Sequence, residues 1–303
     1  MDNYNNISAV LYYYCNINEF IDIMTNKRLM LKELQKCDEF ANLSKVIDII
    51  TDRIQNKEHA VIKGKDIFST IPIWTLKNSI KEYNYKILPF FYALVLTSNC
   101  DKWYMYQKNS ADLCLGIRTN IFKNFKNNGI ISLKKINYDI KELENKVDTA
   151  IDNYLQEYNA NKDSSEKNTG DEFKKIWKYI NEDLINESLA YKNSYFSDEN
   201  EYRLILDSKI RKIFLEQDKS IDKLHEVVDY SFENDNGSLS KTNFMTVNNQ
   251  LMSYRYFGYN NLLSLIDSVY INPMRDITES DIKLLLSVKK IKSDNIVITK
   301  TSL

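Results

Sequence analysis

Glu199 and Glu201 stand two residues apart, and Arg203 follows two further on, in the segment Ser197-Asp198-Glu199-Asn200-Glu201-Tyr202-Arg203. Alternate side chains of an extended chain share a face, so this spacing sets two carboxylates and a guanidinium side by side. Like charges so close repel unless cations or hydrogen bonds offset them. Such pairs raise one carboxyl pKa for acid–base work or hold a developing cation. Arg203 can neutralise one of the two acids, and Lys192 is a second cation that would hold them ionised. The same letters also describe a solvated start of a strand with a surface ion pair. Truncating Arg203 to alanine separates the readings: about 1–3 kcal/mol is lost from a partly buried pair, and less than about 1 kcal/mol from a surface one.

Tyr12-Tyr13-Tyr14 belongs to the run Val10 to Tyr14, β-branched and aromatic, which reads as a buried strand. Tyr12 and Tyr14 then share one face and Tyr13 takes the other. A tyrosine pair can stack on a planar ring such as nicotinamide or a base; it serves equally well as core, with its hydroxyls on backbone partners. Trp103 and Tyr106, three apart, pose the same choice. Thr97 and Ser98 end a strand, where a hydroxyl either bonds a ligand's sugar or caps a turn.

The rest of the chain excludes several chemistries. Its 303 residues hold 41 Lys+Arg and 42 Asp+Glu, a net charge of −1, unlike a protein that binds nucleic acid through clustered positive charge. The lysines 123, 126, 134 and 135, with Lys108 nearby, are diluted by asparagine and read as a solvated face. Six glycines, none closely spaced, leave no phosphate-cradling loop or dinucleotide fingerprint. The two histidines, His59 and His225, form no zinc-binding pair and receive no role. Cys15, Cys37, Cys100 and Cys114 contain no C-x-x-C and fit a reducing compartment. The start is polar and Asn-rich without a secretory pattern, and Ile87–Leu96 is too short for a membrane span. A soluble cytoplasmic protein, off the membrane, is expected.

The elements that must position these residues follow from periodicity. Asn16 and Glu19 have capping-box spacing before a helix over 17–25. A small strand is expected at Leu29–Leu31, a connection over Lys32–Leu43, a helix over 44–60, and interior strands at Ile87–Thr97 and Leu113–Thr119. Trp103–Lys108 should be a turn or one helical segment. Helical spacing runs from Leu143 to Tyr158 and again from Phe173 to Leu189, around a flexible loop at 159–171. Strands are expected at Glu201–Leu206 and Asp267–Asn272. Pro273 breaks the second, Thr278 with Asp281 caps a helix over Ile282–Val288, and Ile296–Thr299 is a last strand. Helices cluster in the middle, which predicts a single α+β domain with a mixed or antiparallel β core. Residues 1–138 and 191–303 would supply the core, and 139–190 a helical insertion.

Taken together these blocks resemble the bacterial family known as domain of unknown function 2971. Its opening Tyr-basic-Tyr strand is matched by Tyr12-Tyr13-Tyr14. Its Phe-Ser, Met-Trp-x-x-Tyr and Cys-Ile-Gly-Phe blocks are matched by Thr97-Ser98, Trp103-Tyr104-Met105-Tyr106 and Cys114-Leu115-Gly116-Ile117. Its Lys followed by Glu-x-Glu-x-Arg is matched by Lys192 and Glu199–Arg203, and its Ile-Gly-Pro ending by Ile271-Asn272-Pro273.

More loosely, a first strand with its aromatic residues, a middle strand ending in Thr-Ser and a late Glu-x-Glu resemble the three-part pattern of ADP-ribosyltransferases. That resemblance implies NAD as substrate and no metal. Glu201 would bind the ribose 2′-hydroxyl and stabilise the oxocarbenium-like centre as nicotinamide leaves. Glu199 would orient or deprotonate the acceptor, a protein or nucleic-acid group. Thr97 and Ser98 would support the strand, and a tyrosine of 12–14 would stack on nicotinamide. The first-strand basic residue is absent, and the Phe before Ser is missing. A toxin or phage-defence effector would suit such an activity. Two other readings stay open: a non-catalytic module that binds a nucleotide-like small molecule, and a metal-dependent nuclease using Asp198, Glu199 or Glu201, with Asp38 as a further carboxylate.

Overall fold

The computed structural model describes residues 8–34, 47–57, 91–100, 102–120, 122, 131–160, 189–206, 231–234, 237–247, 249–259, 262–292 and 295–300. Asp38, Cys37, His59, His225, Lys123, Lys126, the start of the 87–97 run, the loop over 161–171 and the helical run from Phe173 lie outside them.

The strand expected from Val10 is β1 (Val10–Cys15), and the Asn16 cap opens α1 (Ile17–Asn26). Asn16 accepts from the Glu19 amide at 2.9 Å and the Glu19 side chain returns to the Asn16 amide at 3.4 Å, closing the capping box. α1 buries Phe20, Ile23 and Met24 and ends at Lys27 in left-handed backbone. β2 (Arg28–Glu33) follows directly, longer than the three-residue strand expected, because Lys32 and Glu33 extend it. Residues 47–57 are helical (α2). β3 (Tyr92–Thr97), α3 (Trp103–Lys108) and β4 (Leu113–Arg118) sit within the expected ranges. α4 runs Ile140–Ala160, two residues into the stretch read as loop, because nothing before Asn161 breaks the helical pattern. Near the end, β11 (Ile266–Ile271), α5 (Glu279–Val288) with Thr278 and Asp281 in a second capping box, and β12 (Val297–Lys300) close the chain as expected.

Periodicity did not reveal β5 (Ile131–Lys135), hidden in the lysine run, nor β7 (Phe232–Asn234), β8 (Gly237–Leu239), β9 (Asn243–Val247) and the nine-residue β10 (Gln250–Gly258). With β6 (Glu201–Leu206) they complete one twelve-stranded sheet. The path runs β12-β11-β4-β1-β3-β2-β10-β8-β7, with β6 between β3 and β5, and β9 on β10. Among the described residues every strand pair is antiparallel except β11–β12. The chain is therefore α+β, with a mixed, mostly antiparallel sheet.

Two compact units divide it: residues 1–33, 92–135 and 198–303 form one, which holds all twelve strands, and residues 34–91 and 136–197 form the other. In the second unit α2 and α4 are joined by ion pairs. Arg53 meets Glu144 at 2.7 Å and Asp148 at 3.4 Å, and Lys57 meets Asp152 at 2.6 Å. The helical segment expected over 139–190 thus shares its unit with 34–91. Among the described residues no helix is long and apolar enough to cross a membrane.

The two faces of the sheet differ. On one lie Leu11, Leu96, Leu115, Ile117, Tyr202 and Val269, all buried, with α1 packing on this side through the Tyr13–Glu19 hydrogen bond. The other face carries the polar residues described next.

Candidate functional site

Strand register sets the central residues in one row. Thr97 of β3 pairs with Glu201 of β6 on one side and with Tyr12 of β1 on the other. Tyr12 pairs in turn with Gly116 of β4, and Gly116 with Ser268 of β11. Residues directly opposite each other on neighbouring strands point to the same face. Glu201, Thr97 and Tyr12, from segments some ninety residues apart, therefore face one side of the sheet. Gly116 leaves room for its neighbours' side chains. A Cβ there would come within 2.2 Å of Ser268 Oγ and 3.2 Å of the Tyr12 ring, so a side chain at this position would make the Ser268 hydroxyl move and crowd the ring.

Glu201 and Arg203 share this face, as their spacing predicts. Arg203 Nε donates to Glu201 Oε1 at 2.6 Å, with the acid 1% and the guanidinium 2% exposed. The surface ion-pair reading is excluded for this pair. Glu199 is a correction to the extended-chain reading. It ends a 3-10 helix, Ser194–Glu199, and Asn200 has a φ of 44°. That left-handed residue, tolerable for Asn, turns the chain before β6 begins, so the alternation of an extended strand does not reach back to Glu199. A different cation serves it. Lys108, the last residue of α3, donates from Nζ to both Glu199 carboxylate oxygens, at 2.8 and 2.9 Å. Lys108 was read from sequence only as an outlier of the lysine run. Its place at the end of the short Trp103–Lys108 helix was visible, but nothing linked it to an acid 91 residues away.

Thr97 and Ser98 brace this turn. The Thr97 hydroxyl donates to the Glu199 carbonyl and accepts from the Asn99 amide at 3.0 Å. Ser98 N–H donates to the Asn200 carbonyl at 3.2 Å. The carbonyl of Asp198 receives the Asn99 side-chain amide at 2.6 Å and the Tyr104 hydroxyl at 2.7 Å. Both hydroxyl residues at the end of β3 thus hold the segment that presents the acids.

The aromatic candidates part company. Tyr12 is half-buried, its ring edge-on to Tyr270 with centroids 6.1 Å apart. Tyr14 lies on the same face but is buried. Its ring meets Tyr106 edge-on at 4.9 Å, its hydroxyl donates to the Asn99 carbonyl at 3.2 Å, and it accepts from the Lys102 amide at 2.8 Å. Burial pushes both the Tyr12 and Tyr14 hydroxyls well above the ordinary tyrosine value, with nearby Cys100 adding to the first and Cys114 to the second. Tyr13 is buried on the opposite face, bonded to Glu19 at 3.3 Å. Tyr106, 1% exposed, is core, whereas Trp103 is 42% exposed. Lys192 belongs to the second unit, buried with its ammonium 4.9 Å from the centre of the Phe196 ring.

Residues 102–204, about a third of the chain, match the model of a family described as "Protein of unknown function (DUF2971)". The match runs from the residue before Trp103 through the Glu-x-Glu-x-Arg block, and so supports the resemblance to that family over these residues. No curated protein and no solved structure matches the chain significantly.

Proposed function

We propose that the polar face of the sheet binds NAD and cleaves its bond to nicotinamide, in the manner of an ADP-ribosyltransferase. The observation that carries this reading is the row Glu201–Thr97–Tyr12 across three adjacent strands. The three sequence blocks of the resemblance are remote in the chain, yet their key residues meet in a single register. Neighbouring strands are spaced about 4.8 Å apart, so Glu201 and Tyr12 stand roughly 10 Å apart at the backbone. Side chains reaching inward from those two positions span a ribose and the ring it carries.

In this reading Glu201 accepts a hydrogen bond from the ribose 2′-hydroxyl, and its negative charge favours the cationic centre that develops at C1′. Arg203 keeps the carboxylate in one orientation. The Tyr12 ring offers a face to nicotinamide. The bond between C1′ and the pyridinium nitrogen breaks, its electron pair leaves with neutral nicotinamide, and an acceptor forms the new bond to C1′ and gives up a proton. Glu199, on the turn braced by Thr97 and Ser98, is the group that orients the acceptor.

The near-complete burial of Glu201 against Arg203 favours a second reading, a module that binds a nucleotide-like ligand without turnover. Nicotinamide release by the purified protein distinguishes the two. Release that falls about 100–1,000-fold in Glu201→Gln supports cleavage, the scale of losing one group that stabilises developing charge. A melting shift with NAD and no release from folded protein supports the binding module.

A further inference from the structure

We propose that α5 is a self-association surface, on which two copies of this chain pair their α5 helices antiparallel about a twofold axis. The proposal concerns the far edge of the sheet and does not depend on the reading of the polar face as an NAD site.

α5 is apolar on two sides. Ile282 and Leu286 are buried within the chain's own fold. The side opposite them should carry charge, as the solvent-facing side of an amphipathic helix does. It carries Ser280, Leu284, Ser287 and Val288 instead, at the i, i+4, i+7, i+8 spacing of a single stripe, and all four are exposed. Leu284 is 67% and Val288 68% exposed. The helix's own charged pair, Glu279 and Lys283 at 3.9 Å, lies to one side of that stripe. β12, whose Lys300 amide donates to Glu279 Oε1 at 3.2 Å, adds Val297, 56% exposed. Among the described residues β12 pairs only with β11, so it ends the sheet.

Charge selects the occupant. The first turn of α5 holds Glu279 and Asp281, and Lys289, Lys290 and Lys292 follow its last residue. Hydrogen bonds from Thr278 hold the Asp281 carboxyl below its ordinary pKa, so it stays ionised at neutral pH. A second copy laid antiparallel on the stripe brings the acidic start of each helix to the basic end of the other. The twofold axis makes that contact twice, and the two helix dipoles then oppose each other favourably. A parallel pair would set acid against acid and lysine against lysine.

Size sets the strength. The ten residues of α5 span about 15 Å. Pairing two such helices covers less than the roughly 800 Å² that each partner gives to a stable interface. A reversible dimer dissociating on the order of 10–100 µM is therefore expected.

Sedimentation velocity of the full chain from about 5 to 500 µM is the test, with a shift from monomer to dimer as the expected result. A monomer at every concentration overturns the proposal, and growth past the dimer overturns the closed twofold. Leu284→Gln/Val288→Gln changes two exposed positions, so the melting temperature should hold while the dissociation constant rises at least about tenfold. An unchanged constant in that folded variant overturns the role of α5. Lys289→Glu/Lys290→Glu should associate with itself more weakly than the unaltered chain, and mixing it one to one with Glu279→Lys should restore dimers. A lysine variant that pairs as tightly as before, or no recovery on mixing, overturns the antiparallel arrangement.

Discussion

The sheet buries two sets of acids, one on each face, and they are built on different plans. On the apolar face Glu33 of β2 accepts from the Ser253 amide at 3.0 Å and from the Ser253 hydroxyl at 2.7 Å. Ser253 lies 3.2 Å from the Tyr92 hydroxyl, and the Tyr92 ring lies under the buried Arg255, 5.3 Å away. These residues come from β2, β3 and β10, and each bond crosses from one strand to another. On the polar face the 2.6 Å bond of Glu201 to Arg203 closes within β6 itself. That bond joins two residues of one strand and must offset the desolvation cost of two buried charges. The Glu33 set ties the fold together. The Glu201–Arg203 bond holds a buried charge in a fixed orientation.

Truncating each set should expose that difference. Arg203→Ala has the largest expected effect, about 3–5 kcal/mol lost in urea unfolding, because it removes the guanidinium from a carboxylate that is only 1% exposed. A loss below about 1 kcal/mol would mean that Glu201 reaches solvent, and the contrast would collapse. Glu33→Ala leaves the Ser253 donors without their acceptor and should lower stability by about 2–3 kcal/mol. Ligand binding per folded molecule should not change. A binding defect as large as that of Glu201→Gln would show that the apolar-face set also serves the site.

The tyrosines sharpen the comparison on the pH axis. The folded-state pKa of Tyr14 is raised by burial, so the native state holds its proton more tightly than the unfolded chain. The stability this provides is complete below the ordinary tyrosine value of 10.0 and is lost as pH rises above it toward the folded pKa. Above pH 10 stability should fall by up to about 1.4 kcal/mol per pH unit for Tyr14, with Tyr14→Phe flattening the slope. A slope unchanged in that variant would place the alkaline loss elsewhere. The smallest effect expected is Asn16→Ala, about 1 kcal/mol from opening the α1 capping box. It should leave both acid sets as they are, and an effect on nicotinamide release would break the separation between scaffold and site.

How much of this was legible differs from residue to residue. The Asn16–Glu19 and Thr278–Asp281 boxes, α1, β1, β4 and β11 are local consequences of capping chemistry and apolar period, and both boxes are present. So is the Arg203–Glu201 pair, because a strand aligns i and i+2 whatever lies around it. Glu199 escaped the same logic because one residue, Asn200 at positive φ, ends the strand early. β10 escaped because its alternation is masked by aromatic residues on both faces, Tyr254 and Tyr256 on one and Phe257 on the other. In β5 the lysines of Ile131-Ser132-Leu133-Lys134-Lys135 drew the reading toward a solvated surface.

The sequence by itself determined where the capped helices begin and that Arg203 can meet an acid of the Glu-x-Glu pair, since each depends on neighbours within a few residues. Only the tertiary structure decided that Thr97 stands between Tyr12 and Glu201, and that Lys108 meets the Glu199 carboxylate from 91 residues away. Strand order and cross-sheet register depend on the packing of segments a hundred residues apart, and no spacing along the chain encodes them.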